Sequence, residues 1–217
     1  MAVAKKKVLQ QFVLILIGCS LAGCAGWGKP KPSASIPGYD PIPDIQLEFA
    51  DWEFPVPQNP VQQKYLGLGD SLNFKITDIQ TRVLIIEVFN IYCPVCHMEA
   101  PRVNELYDTI DRRTDLRGKV KMIGIGLHNT PFEINLYREH FGVRFPLLAD
   151  ENLRALRNLK VDATPTFIGL KLNRNGAHKL LYYNSGGFGD VEEFLERMLF
   201  RSGLGAPEHY MEVLDRL

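Results

Sequence analysis

The 217 residues carry 25 Lys and Arg against 25 Asp and Glu, so the net charge is zero, and 46% of the chain is hydrophobic. A chain of this length and apolar content can bury one domain-sized core and still carry appendages. No basic block lies outside Lys5-Lys6-Lys7, which excludes a surface built for nucleic acid.

Those three lysines precede an apolar run, Val8 to Ile17, and then Leu21-Ala22-Gly23-Cys24. A positive start, an apolar core and a small-residue site make an export signal. The tetrapeptide resembles a bacterial lipoprotein box, which implies removal of residues 1–23 and lipidation of Cys24. Several acyl chains at about 0.8 kcal/mol per buried CH₂ then anchor the protein to a membrane. An uncleaved membrane helix from Val8 to Ala25 is the plainer reading, weakened by Gln10 and Gln11. Both readings leave the lysines inside and the remainder outside. Loss of residues 1–23 removes three lysines and leaves 22 basic against 25 acidic residues. Cys19, two residues past Ile17, reads as a small hydrophobe of the signal. With Cys24 lipidated, Cys93 and Cys96 are the remaining thiols, so no disulfide framework holds the fold.

Eight of the fourteen prolines fall between Ala25 and Pro60. Proline-rich chain extends by about 3.1 Å per residue, so residues 24–65 read as a tether with a reach on the order of 100 Å. Within it Trp52, Phe54 and Val56 alternate with polar residues or proline. They suit either an edge strand docked on the domain or a motif for a partner. The folded domain is expected over residues 66–203, with residues 204–217 as a helical extension.

Leu72, Phe74, Ile76 and Ile79 predict an extended segment. Val83 to Phe89 is apolar apart from Glu87, as suits a strand buried on both faces. It leads through Asn90-Ile91-Tyr92 into Cys93-Pro94-Val95-Cys96, after which Val103, Leu106, Tyr107 and Ile110 form a stripe at helical spacing. The two cysteines therefore stand where a central strand hands over to a helix. Free N–H groups and the helix dipole there lower a cysteine pKa to roughly 3.5–7.5 from about 8.5, which makes Cys93 the nucleophile. Pro94 suits the first turn, and Cys96, one turn further in, can resolve a mixed disulfide formed on Cys93.

Lys119 to Leu127 predicts a second, parallel strand in which Gly124 and Gly126 mark close packing. Asn129 or Thr130 caps a helix over Pro131 to Phe141, stopped by Gly142. Asp150 starts another, with Leu153, Leu156 and Leu159 inward. Thr166 to Leu172 and Ala177 to Tyr183 flank Asn173-Arg174-Asn175-Gly176, a hairpin signal. Asp190 opens a helix through Phe194, Leu195, Met198 and Leu199. Pro207 to Leu217 forms a short helix with Tyr210, Val213, Leu214 and Leu217 apolar, packed onto the domain.

The strand, the C-x-x-C, Glu87 six residues before Cys93 and Pro101 five after Cys96 resemble the thioredoxin superfamily, and most nearly its extracytoplasmic TlpA/ResA-like branch. Ala163-Thr164-Pro165-Thr166-Phe167 resembles that family's cis-proline loop, and the likeness covers Leu72 to Phe200. It implies an α/β thioredoxin-like fold, a central mixed sheet flanked by helices, with an extra helical insertion before the cis-proline loop. It further implies a membrane-tethered thiol-disulfide oxidoreductase on the periplasmic side, with Cys93 and Cys96 as its redox-active disulfide and no cofactor. Glu87 then stands beneath the thiols as the base for Cys96, its pKa raised by burial, or as a mere hydrogen-bonding group. Thr164 and Pro165 offer the edge that pairs with the substrate chain, and Tyr92 replaces the family's common tryptophan on the substrate surface. The uncharged Pro94-Val95 dipeptide argues for a reductant. Implied partners are exported proteins with disulfides, among them apocytochrome c or copper-site proteins, and a membrane thiol reductant.

Three rivals use the same residues. Cys93-Pro94-Val95-Cys96-His97 fits the C-x-x-C-H of haem attachment in exported c-type cytochromes. A peroxiredoxin-like peroxidase normally carries Pro-x-x-x-Thr-x-x-Cys, and here Ile86 and Asn90 occupy the first two places. A Cu(I) module can draw on Cys93, Cys96 and His128.

Overall fold

The computed structural model describes residues 41–173 and 177–216. The export signal, Cys24 and the turn Arg174-Asn175-Gly176 lie outside the described residues. Every residue of β3 (Val83–Phe89) is buried, as its near-continuous apolar run requires. β3 pairs in parallel with β4 (Val120–Leu127) and antiparallel with β6 (Thr166–Leu172). β4 pairs in parallel with β5 (Leu147–Asp150), and β6 antiparallel with β7 (His178–Ser185). The resulting mixed sheet has the order β5-β4-β3-β6-β7, and with helices on both faces it is the thioredoxin-like fold.

Side chains alternate across a strand, so β3 feeds two cores. Val83, Ile85 and Phe89 pack on one face with α2 (Pro94–Arg112), α3 (Pro131–Phe141) and α5 (Val191–Ser202), through Cys96, Val103, Leu106, Tyr137, Phe194 and Met198. Leu84, Ile86 and Val88 pack on the other with Trp52, Phe54, Leu66 and Phe74, from β1 (Glu53–Pro55), α1 (Pro60–Leu66), β2 (Asn73–Lys75) and their links. Each fully buried side chain of this kind is worth about 1.5–3 kcal/mol.

Thr130 caps α3 in a reciprocal pair with Glu133, and Gly142 ends that helix at φ +65°. A Cβ on Gly124 would lie 2.5 Å from Leu147 Cδ2, and one on Gly126 would lie 2.5 Å from Ile134 Cγ2. The paired glycines of β4 thus let a neighbouring strand residue and α3 approach the sheet, as expected. Asp190 caps α5 through Glu193 N–H, and α6 (Pro207–Arg216) buries Val213.

Three elements differ from the sequence expectation. Leu47, Phe49, Trp52 and Phe54 are buried, and β1 pairs antiparallel with β2. Much of the expected tether is therefore packed onto the sheet, and the core draws on residues well before Leu66. Of the two readings of Trp52, Phe54 and Val56, the docked strand is the one the structure shows; Pro55 ends that strand and Pro60 opens α1. Second, β5 was hidden in the short run before Asp150. The carboxylate of Asp150 accepts the Arg154 and Ala155 amides at 2.9 and 2.8 Å, but the helix itself, α4 (Arg154–Asn158), is shorter than expected and leaves Leu156 40% exposed. Third, the segment from Leu72 to Ile79 is a three-residue strand and a 3₁₀ turn, with Leu72 exposed.

Trp52→Ala should lower the unfolding free energy of the chain by about 3–5 kcal/mol in urea titrations, the cost of emptying a buried aromatic site. A free tether would give a change within about 0.5 kcal/mol.

Candidate active site

Cys93 is the N-cap of α2, and Pro94 opens the helix. Its Sγ accepts the Cys96 amide at 3.3 Å and, as a thiol, donates to the Thr164 carbonyl at 3.1 Å. The Thr164–Pro165 bond is cis. Partial burial acts to raise the Cys93 pKa, but hydrogen bonds from the Cys96 and Thr164 side chains and the Cys96 and Val95 amides outweigh it and hold the thiol below its ordinary value. Cys96 is fully buried. Burial, followed by its hydrogen bond with Cys93, drives its pKa far upward. The same motif thus yields one thiol that ionises easily at the rim and one that keeps its proton in the core.

The loop between β3 and α2 is clamped from three sides. Asn90 Nδ2 donates to the Leu127 carbonyl at 2.7 Å, and Asn90 Oδ1 accepts the Tyr92 amide at 2.8 Å. Asn129, fully buried, accepts the Ile91 amide at 3.1 Å, and His97 Nε2 lies 2.6 Å from the Ile91 carbonyl. The Tyr137 hydroxyl donates to the Cys96 carbonyl at 3.2 Å, and its ring stacks on Phe89 at 4.5 Å. Helix α3, the insertion expected before the cis-proline loop, therefore braces the thiol-bearing turn. Sequence spacing gave no signal for Asn129, Tyr137 or Glu133 in this site, because they reach it from α3 and the turn before it, far along the chain from Cys93.

Tyr92 is 70% exposed, beside Cys93, and its hydroxyl donates to Glu133 Oε1 at 2.6 Å. That bond holds the tyrosine pKa above its ordinary value. The Glu133 carboxyl is held low, first by the Thr130 amide and then by Tyr92. Val95 and Met98 are exposed on the same rim, at 41% and 71%, so the surface around Cys93 is apolar.

Glu87, paired with Gly124 and Phe167 across the sheet, is 1% exposed and its Oε1 has no hydrogen-bond partner. It shares the odd-numbered face of β3 with Ile85 and Phe89, which pack in the same core as Cys96. Burial, then the charges of Glu99 and Cys93, push its pKa up to about 8. Glu99 is the acid that reading the sequence missed. It lies three residues beyond Cys96, which puts both on one face of α2, and its side chain is 14% exposed with Oε2 buried and unpartnered. Gly187 makes its space, because a Cβ there would stand 2.6 Å from Glu99 Oε1. The helical i, i+3 spacing from Cys96 was the available signal.

The haem and copper readings fit these positions less well. A haem thioether at Cys96 would need a sulfur that is buried in the core, and His97 packs its ring 5.1 Å from Phe141 while contacting the Ile91 carbonyl. His128 is exposed in a left-handed turn, and among the described residues no three His, Cys, Asp or Glu side chains gather as a metal set.

Residues 42–177 match the AhpC/TSA family. The chain is 22% identical over 130 residues to the thiol-disulfide oxidoreductase ResA of Halalkalibacterium halodurans, covering 59% of this chain and 68% of that protein. It is 22% identical over 122 residues to the ResA of Geobacillus thermodenitrificans, covering 56% and 66%. The chain thus spans about two thirds of the length of these curated relatives. Among solved structures, a candidate thiol:disulfide interchange protein DsbE from Chlorobium tepidum superposes with a TM-score of 0.51 at 17% identity, over 74% of this chain and 99% of that one. A hypothetical protein from Sinorhizobium meliloti does so with a TM-score of 0.51 at 14% identity, over 76% and 90%. At these identities the superpositions carry the fold alone.

Two measurements follow from the geometry. Iodoacetamide alkylation of the dithiol form, read by mass spectrometry against pH, should label Cys93 with a midpoint below the ordinary thiol value of about 8.5 and leave Cys96 unlabelled at that pH. For Glu87 the folded pKa, about 8, exceeds the ordinary 4.5, so the folded state binds the extra proton between those values. Its contribution to stability is full below about 4.5 and lost as pH rises through about 8. Glu87→Gln, neutral throughout, should therefore gain melting temperature relative to the parent as pH rises across that window, and a flat difference would contradict the burial effect.

Proposed function

The chain belongs to the AhpC/TSA family and is a thiol-disulfide oxidoreductase, and we propose that it reduces disulfides of exported proteins outside the cytoplasm while held to a membrane through lipid on Cys24. The anchor rests on Lys5-Lys6-Lys7, the apolar run after them and Leu21-Ala22-Gly23-Cys24. Among the described residues no helix is long and apolar enough to cross a membrane.

The observation that carries this reading is the opposite displacement of two thiols three residues apart, Cys93 lowered at the rim and Cys96 raised in the core. In the dithiol form the Cys93 thiolate attacks one sulfur of the substrate disulfide. A Cys93–substrate disulfide forms, the substrate S–S bond breaks, and the second substrate sulfur leaves as a thiolate that takes a proton. Cys96 then loses its proton and attacks Cys93 Sγ, releasing the first substrate sulfur as a thiol and closing Cys93–Cys96. Two electrons have passed to the substrate, and a membrane thiol reductant returns them.

Glu87 is the base in this reading, with Glu99 beside it. A carboxyl pushed up to about 8 is mostly protonated while Cys93 carries its charge. Once Cys93 is tied into the mixed disulfide, the charge that helped to raise Glu87 is gone. The carboxyl then ionises more readily at the step where Cys96 must give up its proton. The Thr164 carbonyl and the exposed ring of Tyr92 flank the place where the substrate sulfur arrives, and we assign Thr164, Pro165 and Tyr92 to substrate binding. The family resemblance includes apocytochrome c and copper-site proteins among such exported substrates.

With the full chain in detergent, Cys93→Ser should abolish reduction of a model disulfide such as insulin. Cys96→Ser should instead accumulate a mixed disulfide on Cys93. A reduction potential near about −270 mV fits the reductant, and one near about −120 mV would reverse the direction of electron flow.

A further inference from the structure

A groove of about 580 Å³ lies between the extended run at residues 54–59 and the wall formed by α3 and β5, a size within the range of about 300–1,000 Å³ typical of ligand sites. Its apolar walls include Val56, Pro57, Ile134 and Leu147, and its polar ones Gln62 and Arg138. β5 ends the sheet on this side, and among the described residues no strand pairs with its outer edge.

Arg138 is the unusual member. It is half-buried, its Nε is sealed from solvent without a hydrogen-bond partner, and no described Asp or Glu forms an ion pair with it. Burial lowers its pKa, and no neighbouring acid opposes that effect. A cation near the C-terminal end of α3 suits the helix dipole, but an exposed one would serve equally, whereas a half-buried unpaired guanidinium carries a desolvation cost. A planar fork of N–H donors is matched by a carboxylate that takes two of them at once. Glu151 lines the same groove, and among the described residues it forms no ion pair with Arg138; the walls are neutral overall, which disfavours the double charge of a phosphate monoester.

We propose that this groove binds a carboxylate carried on a short apolar stem, with the Arg138 guanidinium holding the carboxylate and Val56, Ile134 and Leu147 receiving the stem. Two sources share that chemistry: a free small carboxylate, or an acidic side chain of an extended peptide laid along the open edge of β5. Neither involves the thiols, so the site stands or falls independently of the proposed reaction.

Titration calorimetry of the full chain would use hexanoate against hexanamide, and acetyl-Val-Glu-Val-amide against its glutamine counterpart. The carboxylates should bind and the neutral partners should bind at least about tenfold more weakly, with the same loss in Arg138→Ala. Binding of hexanoate alone assigns the free carboxylate, and binding of the peptide alone assigns the peptide. Should Arg138→Ala fail to fold, phenylglyoxal modification of Arg138 in the unaltered chain provides the second readout, and whichever carboxylate binds should slow it. Absence of binding by both carboxylates, equal binding of the neutral partners, unchanged affinity in Arg138→Ala, or no protection from phenylglyoxal would overturn the site.

Discussion

The hydrogen bond from the Cys96 amide to Cys93 Sγ is where the fold and the chemistry of this protein meet. A helix must satisfy the amides of its first turn, and here a sulfur does so in the N-cap position usually filled by an oxygen. The bond requires that the helix begin at that residue. Its position follows from β3, which is buried on both faces and ends at Phe89, and from the clamps on residues 90–92. Once the helix begins at Pro94, its pitch sends Cys96 inward with Ala100 and Val103. The contrast between the two thiols is therefore a consequence of helix geometry at the end of a buried strand, before any charged neighbour is considered.

The carboxyls are the costly part of the arrangement. Glu87 and Glu99 each bury an oxygen that lacks a partner, and buried polar groups are normally hydrogen-bonded. They are of like sign, and Glu99 contributes to the rise of Glu87. A fold optimised for stability alone would place an apolar residue at position 87, as at the other six positions of β3. The cost is concentrated on the same face as Cys96, whose deprotonation the proposed reaction requires. Violations of packing rules of this sort gather at functional sites.

Most of the fold was legible because it was written in local signals. The apolar run of β3, the Thr130 cap with Gly142 as stop, and Asp190 before α5 each specify an element within a few residues. The features that escaped depend on distant partners. β5 is a four-residue strand recognisable as one only by its pairing with β4, and the burial of Leu47 and Phe49 ahead of the docked strand depends on a hydrophobic face contributed by β3, β4 and β6. Within the site, Cys93, Cys96 and Glu87 could be singled out from spacing and composition. Glu133, Asn129 and Tyr137 could not, since they come 36 to 44 residues after Cys93 and approach from the insertion helix and the turn before it. Glu99 was within reach of helical spacing but gives no apolar stripe to draw notice.

The alternation of β3 has a further consequence. Because successive side chains point to opposite faces, the whole chemical identity of the sheet is stored in the parity of one strand. Odd positions look toward the sulfurs and even positions toward Trp52 and Phe74. A slip of β3 by a single residue against β4 and β6 would leave its apolar content almost unchanged, yet would turn Glu87 into a purely aliphatic and aromatic layer. The carboxylate thus acts as a registration mark. Glu87 is the one polar side chain of the strand, so where it falls separates two alignments that hydrophobicity alone would hardly distinguish.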